Sequence, residues 1–274
     1  MATHVARTAQ GRAATAKEPP SSQEPPRPRS DIIQEIAALI ATSKNVVVIT
    51  GAGLSVASGI AAFRSGAGAV WSANVTTLGT RKEFKKDAPK WYNEFWLPAF
   101  ECERVRSARP SRAHDDLAFL CRLSAGVKVV TQNVDGLHVN AVPDAQLVEA
   151  HGRVGLYRCA RFGGAKKCAV KAAGEEWFDE SEISKEDVMA IRALHVEKAP
   201  ACPKCGGTLV PLALLFDEMY DTHFFFEAEA WDSWLDEADA VLFIGTSFVV
   251  EVTREALRRA KDKGVPVYNV NVDV

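Results

Sequence analysis

The sequence predicts an α/β protein, a doubly wound parallel sheet into which a smaller cysteine-bearing module and a helical module are inserted. Three observations carry this expectation. Short runs of β-branched and apolar residues recur at 46–50, 127–130, 240–244 and 265–270, and the segments between them include stretches of helical periodicity. A dense group of aromatics, Phe84, Trp91, Tyr92, Phe95, Trp96 and Phe100, interrupts the alternation once. Four of the six cysteines, between positions 159 and 205, interrupt it again.

Length and composition set the bounds. A chain of 274 residues has room for one large α/β domain, or for a main domain with a smaller insert. With 47% hydrophobic and 25% charged residues it has the balance of a soluble globular protein. A net charge of −2 supplies no basic field for gathering nucleic acid. No apolar run approaches the roughly 18–20 residues that would span a bilayer, so no membrane partner is expected. With no secretory signature, the cysteines read as metal ligands rather than as a disulfide framework, and the chain as intracellular, in cytoplasm or nucleus. Residues 1–30 contain five prolines and almost no apolar periodicity, which predicts a disordered tail. Arg7, Arg12 and Lys17 precede the first acid, Glu18, so this tail is either simply solvated or an organelle transit peptide, which leaves the mitochondrion open.

Asp31 is expected to cap a helix with Ile32, Ile33, Ile36, Leu39 and Ile40 on one face. The strand Val46–Thr50 follows, then Gly51, Ala52 and Gly53, then a segment from Leu54 that can open a helix. Strand, glycine turn and helix N-terminus together form a phosphate cradle, because bare backbone approaches the ligand closely and unpaired N–H groups point at the anion. The dinucleotide fingerprint asks for Gly or Ala where this chain has Val56, and for an acid about twenty positions on, where it has Trp71. On these residues alone, a tight turn that binds nothing stays open.

Residues 72–125 read as helical and partly irregular, the aromatics serving as the core of a small helical module. Pro110–Leu123 reads as a capped helix, with His114 in a structural role. The strand Val127–Val130 delivers Thr131, Gln132, Asn133 and Asp135 to its carboxyl end, where ligands bind in open α/β sheets; Asn and Asp before Gly136 also suit an ordinary turn. Leu147 and Val148 precede His151 and Gly152. A lone His is more often structural, but beside a glycine loop and a strand-end Asn/Asp pair it is the leading base candidate, since imidazole titrates near neutrality.

Cys202 and Cys205, in CPKCGG, form a knuckle that lets two thiolates reach one metal ion. Cys159 and Cys168 complete a four-cysteine zinc site, closed and therefore structural, although eight residues separate them rather than two. Residues 174–198 hold eight acidic against three basic residues and read as an exposed insert, with a helix near 186–194. A helix over 228–238, the strand 240–244 ending in Gly245, Thr246 and Ser247, a helix over 251–263 and the strand 265–270 ending at Asn271 close the chain.

GAGLSVASGIAAFR at 51–64 resembles the signature loop of the sirtuins, the NAD-dependent protein lysine deacylases, whose pattern is GAG-x-S-x-x-SGI-P-x-FR. TQNVDGLH at 131–138, His151-Gly152, the paired cysteines, GTS at 245–247 and Asn271 extend the resemblance over about residues 32–274. It implies a Rossmann-like sheet with NAD as cosubstrate, a structural zinc ion, and an acylated-lysine protein or peptide as substrate. It further implies an NAD-binding core over about 31–71, 110–152 and 212–274, a helical module over about 72–109 and a zinc module over about 153–211. By the same resemblance Gly51, Ala52, Gly53 and Ser55 hold the pyrophosphate side of NAD, Phe63, Arg64 and Trp71 belong to the reactive loop and cofactor site, and Gln132 and Asn133 position the ribose. Asp135 holds the nicotinamide amide, Gly245, Thr246, Ser247 and Asn271 serve the adenosine side, and His151 is the catalytic base. Leu215, Phe216 and Asp217 take the place of the substrate-pairing strand. Departures from the pattern are Ala61 and Ala62 in the signature loop, Asp217 for a Gly, and Val252 for a Pro. The subgroup that takes acidic acyl chains uses a Tyr and an Arg on one helix; residues 91–100 offer Tyr92 but no Arg, so that preference is not expected. An ADP-ribosyltransferase on the same NAD site, or a non-catalytic NAD- or acyl-lysine-binding module, are the alternatives.

Overall fold

The computed structural model describes residues 28–61, 75–160, 168 and 177–271. Phe63, Arg64 and Trp71, and the tail up to residue 27, lie outside the described residues.

The chain enters through α1 (Arg29–Thr42) and β1 (Val46–Thr50). Pro28, not Asp31, stands at the cap of α1. Asp31 sits inside the first turn, where its charge complements the helix dipole. Short helices follow, α2 (Val75–Leu78), α3 (Arg81–Lys86), α4 (Ala88–Trp91), α5 (Leu97–Phe100) and α6 (Glu103–Arg106), with a π-helical turn at Tyr92–Trp96 between α4 and α5. Then come α7 (Arg112–Leu123), β2 (Val127–Thr131) and β3 (Leu147–Glu149). After them β4 (Gly152–Cys159), β5 (Phe178–Asp179), α8 (Lys185–Arg192) and β6 (Leu209–Ala213) form the cysteine-bearing part. α9 (Ala228–Glu237), β7 (Ala240–Ile244), α10 (Glu251–Lys263) and β8 (Val267–Val270) complete the chain.

Five strands make one parallel sheet in the order β3-β2-β1-β7-β8. Its central strands are buried on both faces, as runs of Val and Ile without alternation require. Val46, Val48, Val127, Val129 and Leu242 pack with Leu117, Ala118 and Cys121 of α7 and with Ile36 and Ile40 of α1. Val47, Ile49, Val130, Val241 and Phe243 pack on the opposite face with Trp231 and Leu235 of α9 and Val252, Ala256 and Ala260 of α10. Helices thus cover both faces, as the doubly wound expectation requires. Ile33 of α1 is exposed, so only part of its expected apolar face is used. β8 starts two residues later than the sequence suggests: Val265 N–H closes the end of α10 onto Ala260 O, and Pro266 has no N–H to give to a ladder.

The aromatic cluster is core. Phe84, Trp91, Tyr92, Phe95 and Trp96 share one buried cluster with Tyr157 of β4, Leu209 and Val210 of β6, and three of the cysteines. These strands form an antiparallel sheet in the order β5-β4-β6. The stretch 177–198 is more than an exposed insert, because Phe178, Ile183, Ile191 and Val196 are buried in the same cluster. Their wide spacing among charged residues conceals them in a composition count.

Candidate active site

Register assembles the site. Thr50 of β1 lies beside Thr131 of β2 and Ile244 of β7, so the three strands end level and the residues after them converge. Gly51 N–H bonds Ile244 O, and Gln132 N–H bonds Thr50 O, both at 3.0 Å. A Cβ on Gly53 would stand 2.7 Å from Gly245 Cα, and one on Gly51 2.7 Å from Gly245 O. The glycines are therefore needed for the contact between two strand-end loops, which brings the GAG and GTS segments together. The segment after them, Ala52–Ser58, is a 3-10 helix.

Around this contact the polar side chains hold one another. Asn133 Nδ2 donates to Gly51 O and to Ser55 Oγ, both at 3.1 Å. Ser55 Oγ donates to Asp135 Oδ2 at 2.6 Å, and Asp135 Oδ1 accepts from Leu137 N–H at 3.0 Å. Gln132 Nε2 reaches Thr246 Oγ1 at 3.1 Å, and Asn271 Nδ2 reaches Thr246 O at 3.0 Å. Ser247 is exposed at the same strand end. Ser55, Asn133 and Asp135 form one bonded group and Gln132, Thr246 and Asn271 another beside it, while Gly51 N–H, Gly53 N–H and Gly245 N–H are taken by Ile244 O, Gly245 O and Val270 O and are not the unpaired donors expected of a phosphate cradle.

β3 brings in the base candidate. Ala150 N–H bonds Thr131 O, and the chain then bends at Gly152, where φ is +85° and an added Cβ would lie 2.0 Å from Leu212 O. Only Gly fits there. His151, on this bend, places Nδ1 3.0 Å from Gln132 O and Nε2 3.1 Å from Tyr220 Oη. Its ring stacks on that of Tyr220, with centroids 5.8 Å apart. Burial pushes the His151 imidazole down to about 4, against a smaller upward effect of the Gln132 carbonyl. Burial pushes the Tyr220 hydroxyl up to about 12, partly offset by a hydrogen bond from the Val252 backbone. Tyr220 was not among the residues singled out by sequence. It lies 69 positions from His151, and its only signal is an aromatic two residues after Glu218.

His114 caps its own helix with Ser111 and contacts the ring of His138, consistent with the structural role expected of it. Tyr92 is fully buried and donates to Leu209 O at 3.2 Å, which leaves it no part in reading an acyl chain.

In the substrate-strand candidate, Leu215 faces the core while Phe216 and Asp217 are exposed. Phe216 N–H bonds Gly79 O at 2.9 Å, and the Asp217 carboxylate accepts from Arg81 N–H at 2.6 Å and Lys82 N–H at 3.1 Å. Asp217 is not among the residues with positive φ, so the replacement of Gly costs no backbone strain here. Glu218 is ion-paired with buried Arg158 of β4.

The sulfurs of Cys159, Cys168, Cys202 and Cys205 all lie within 4.8 Å of one another. Cys159 and Cys205 are 3.6 Å apart, Cys168 and Cys202 3.8 Å. A tetrahedron with Zn–S near 2.3 Å has edges of about 3.8 Å, so the set fits zinc and closes its shell. Burial raises the Cys205 thiol, but the Gly207 N–H and the neighbouring thiols outweigh it and leave it at about 7, near the thiolate form that a metal needs. No disulfide links any of the six cysteines.

A model of the Sir2 family matches residues 51–252, which span the glycine loop, the Asn133–Asp135 pair, His151 and the four cysteines. The chain belongs to the Sir2 family. Among sirtuins it is 37% identical to the NAD-dependent deacetylase sir2E of Dictyostelium discoideum over 241 residues, 86% of this chain and 68% of that protein. It is 33% identical to an NAD-dependent protein deacylase of Aeropyrum pernix, over 88% of this chain and 86% of the relative. A solved Sir2 homologue–NAD complex superposes with a TM-score of 0.66 at 28% identity, covering 88% of this chain and 82% of the other. Among the described residues of this sirtuin, no helix is long and apolar enough to cross a membrane.

Proposed function

We infer that this sirtuin removes acyl groups from protein lysines with consumption of NAD, giving nicotinamide and O-acyl-ADP-ribose. Sir2-family membership supports the reaction class. The observation that carries the residue roles is the convergence of Asn133 and Asp135 on the Gly51–Ser55 loop, with His151 bonded to the neighbouring Gln132. In NAD the nicotinamide is a ready leaving group, which the acyl amide oxygen displaces at C1′. Gly51, Ala52, Gly53 and Ser55 hold the pyrophosphate, and Gln132 and Asn133 orient the ribose. Asp135 receives the nicotinamide amide, and Gly245, Thr246, Ser247 and Asn271 line the adenosine side. Phe63 and Arg64 are assigned to the reactive loop, and Trp71 to the cofactor site, by resemblance alone.

His151 then accepts a proton from a ribose hydroxyl, which attacks the acyl carbon. With Nδ1–H donated to the Gln132 carbonyl, the ring presents its lone pair at Nε2. Leu215, Phe216 and Asp217 follow the end of β6, Phe216 and Asp217 in an exposed turn rather than on a strand, and are assigned to the substrate peptide by resemblance alone. Cys159, Cys168, Cys202 and Cys205 would hold zinc, which supplies a cross-link and no chemistry. This reading keeps the domain division expected from sequence. Six free cysteines suit a reducing compartment inside the cell.

The test is mass spectrometry of peptides carrying different acyl-lysines, with and without NAD, beside calorimetric titration of NAD. His151→Ala should lose deacylation by about 10²–10⁴-fold, the usual cost of a general base, with NAD affinity within a few-fold of wild type. Near-normal turnover would remove His151 from the mechanism. Transfer of ADP-ribose to the peptide, or binding without consumption, would replace the deacylase reading.

A further inference from the structure

The lone pair that His151 must use is already occupied. Gln132 O can only accept, so the His151 proton is on Nδ1 and the single lone pair is on Nε2. Tyr220 Oη lies 3.1 Å from that nitrogen and must donate to it. The phenol is held from other sides as well. The Tyr220 ring stands edge-on to Trp231 at 5.3 Å and stacks with His151. A phenol oxygen has one proton and two lone pairs. The proton is used on His151, which leaves the phenol oxygen able to accept.

We propose that His151 takes the ribose proton through Tyr220, whose hydroxyl stands between His151 Nε2 and the reacting ribose hydroxyl. This rests on His151 as the base. As the ribose oxygen bonds the acyl carbon, its proton passes to Tyr220 Oη and the Tyr220 proton passes to Nε2. Imidazolium forms, and the tyrosine is neutral before and after. No oxidant or further reactant is needed.

Tyr220→Phe keeps the ring against Trp231 and His151 and removes only the oxygen. Three readouts separate the steps: NAD affinity, exchange of labelled nicotinamide into NAD with acyl peptide present, and single-turnover deacylation. Exchange reports the C1′ displacement, which precedes the need for a base. The expected result is NAD affinity and exchange within about threefold of wild type, and deacylation slower by about 10–100-fold, less than for loss of the base because water can occupy the gap. Deacylation at or above the wild-type rate would overturn the relay and make Tyr220 a cap displaced by substrate. Exchange and deacylation falling in parallel would overturn it in favour of a packing role. His151→Ala run alongside separates the two ideas: if it retains turnover, the base assignment itself fails, whatever Tyr220→Phe does.

Discussion

His151 and His138 are both held unprotonated by burial, to about 4 and about 3, against an ordinary value of about 6.5. Two consequences differ in sign from a histidine with an acidic partner. The catalytic limb set by His151 should lie near pH 4, so single-turnover deacylation should be flat from about pH 5.5 to 8 as far as this group is concerned. An ascending limb with its midpoint at about pH 6.5 would mean that the imidazole is solvated in the working enzyme. For stability, the unfolded chain binds more protons than the native one between the two values. Stability is therefore full above about pH 6.5 and falls as pH drops towards 4, by up to about 1.4 kcal/mol per pH unit for each group. Denaturant midpoints at a series of pH values check this. At Gly152, the +85° φ and the Leu212 carbonyl leave no room for a methyl group. Gly152→Ala should lower the melting temperature and displace His151, with little residual deacylation.

At the scale of elements, the strands were legible because five-residue apolar runs with β-branched residues have no other stable place than a sheet buried on both faces. The short helices between residues 75 and 106 were legible only as a helical region, since aromatic density hides the breaks at Gly79, Asp87 and the π-helical turn. Asp217 shows how a departure from a pattern acquires a use. Its carboxylate accepts the first two N–H groups of α3, a cap supplied from 136 residues away, which no local signal could reveal. Asp217→Gly should cost about 1 kcal/mol, the typical value of a lost cap, and loosen the segment beside it. A peptide KM about fivefold higher with NAD affinity unchanged is the expected outcome; an unchanged peptide KM would mean that this edge does not receive substrate.

For the whole molecule, the parallel sheet and the gathering of Gly51, Asn133 and Gly245 at its strand ends followed from runs read in sequence, whereas the order β3-β2-β1-β7-β8 and the Tyr220–His151 pair appear only in the tertiary fold. The same scale decides what a metal does here. β4 begins just after His151 and ends at Cys159, while β6 pairs with it and runs on towards Phe216 and Asp217. Both routes to the chemistry therefore start from the cysteine cluster. The NAD-side loops rest instead on the parallel sheet, whose two cores contain none of the four clustered cysteines. Structural zinc is coupled to folding by about 10–16 kcal/mol in small finger peptides. Chelation should release zinc and abolish deacylation while weakening NAD binding only several-fold, and thermal unfolding should split into two steps. Cys168→Ser should do the same, despite its distance in sequence from Cys159. Wild-type protein without zinc, or a Cys168→Ser variant with unchanged zinc content and affinity, would refute the four-thiolate site; equal loss of NAD binding and deacylation would refute the separation of the two cores.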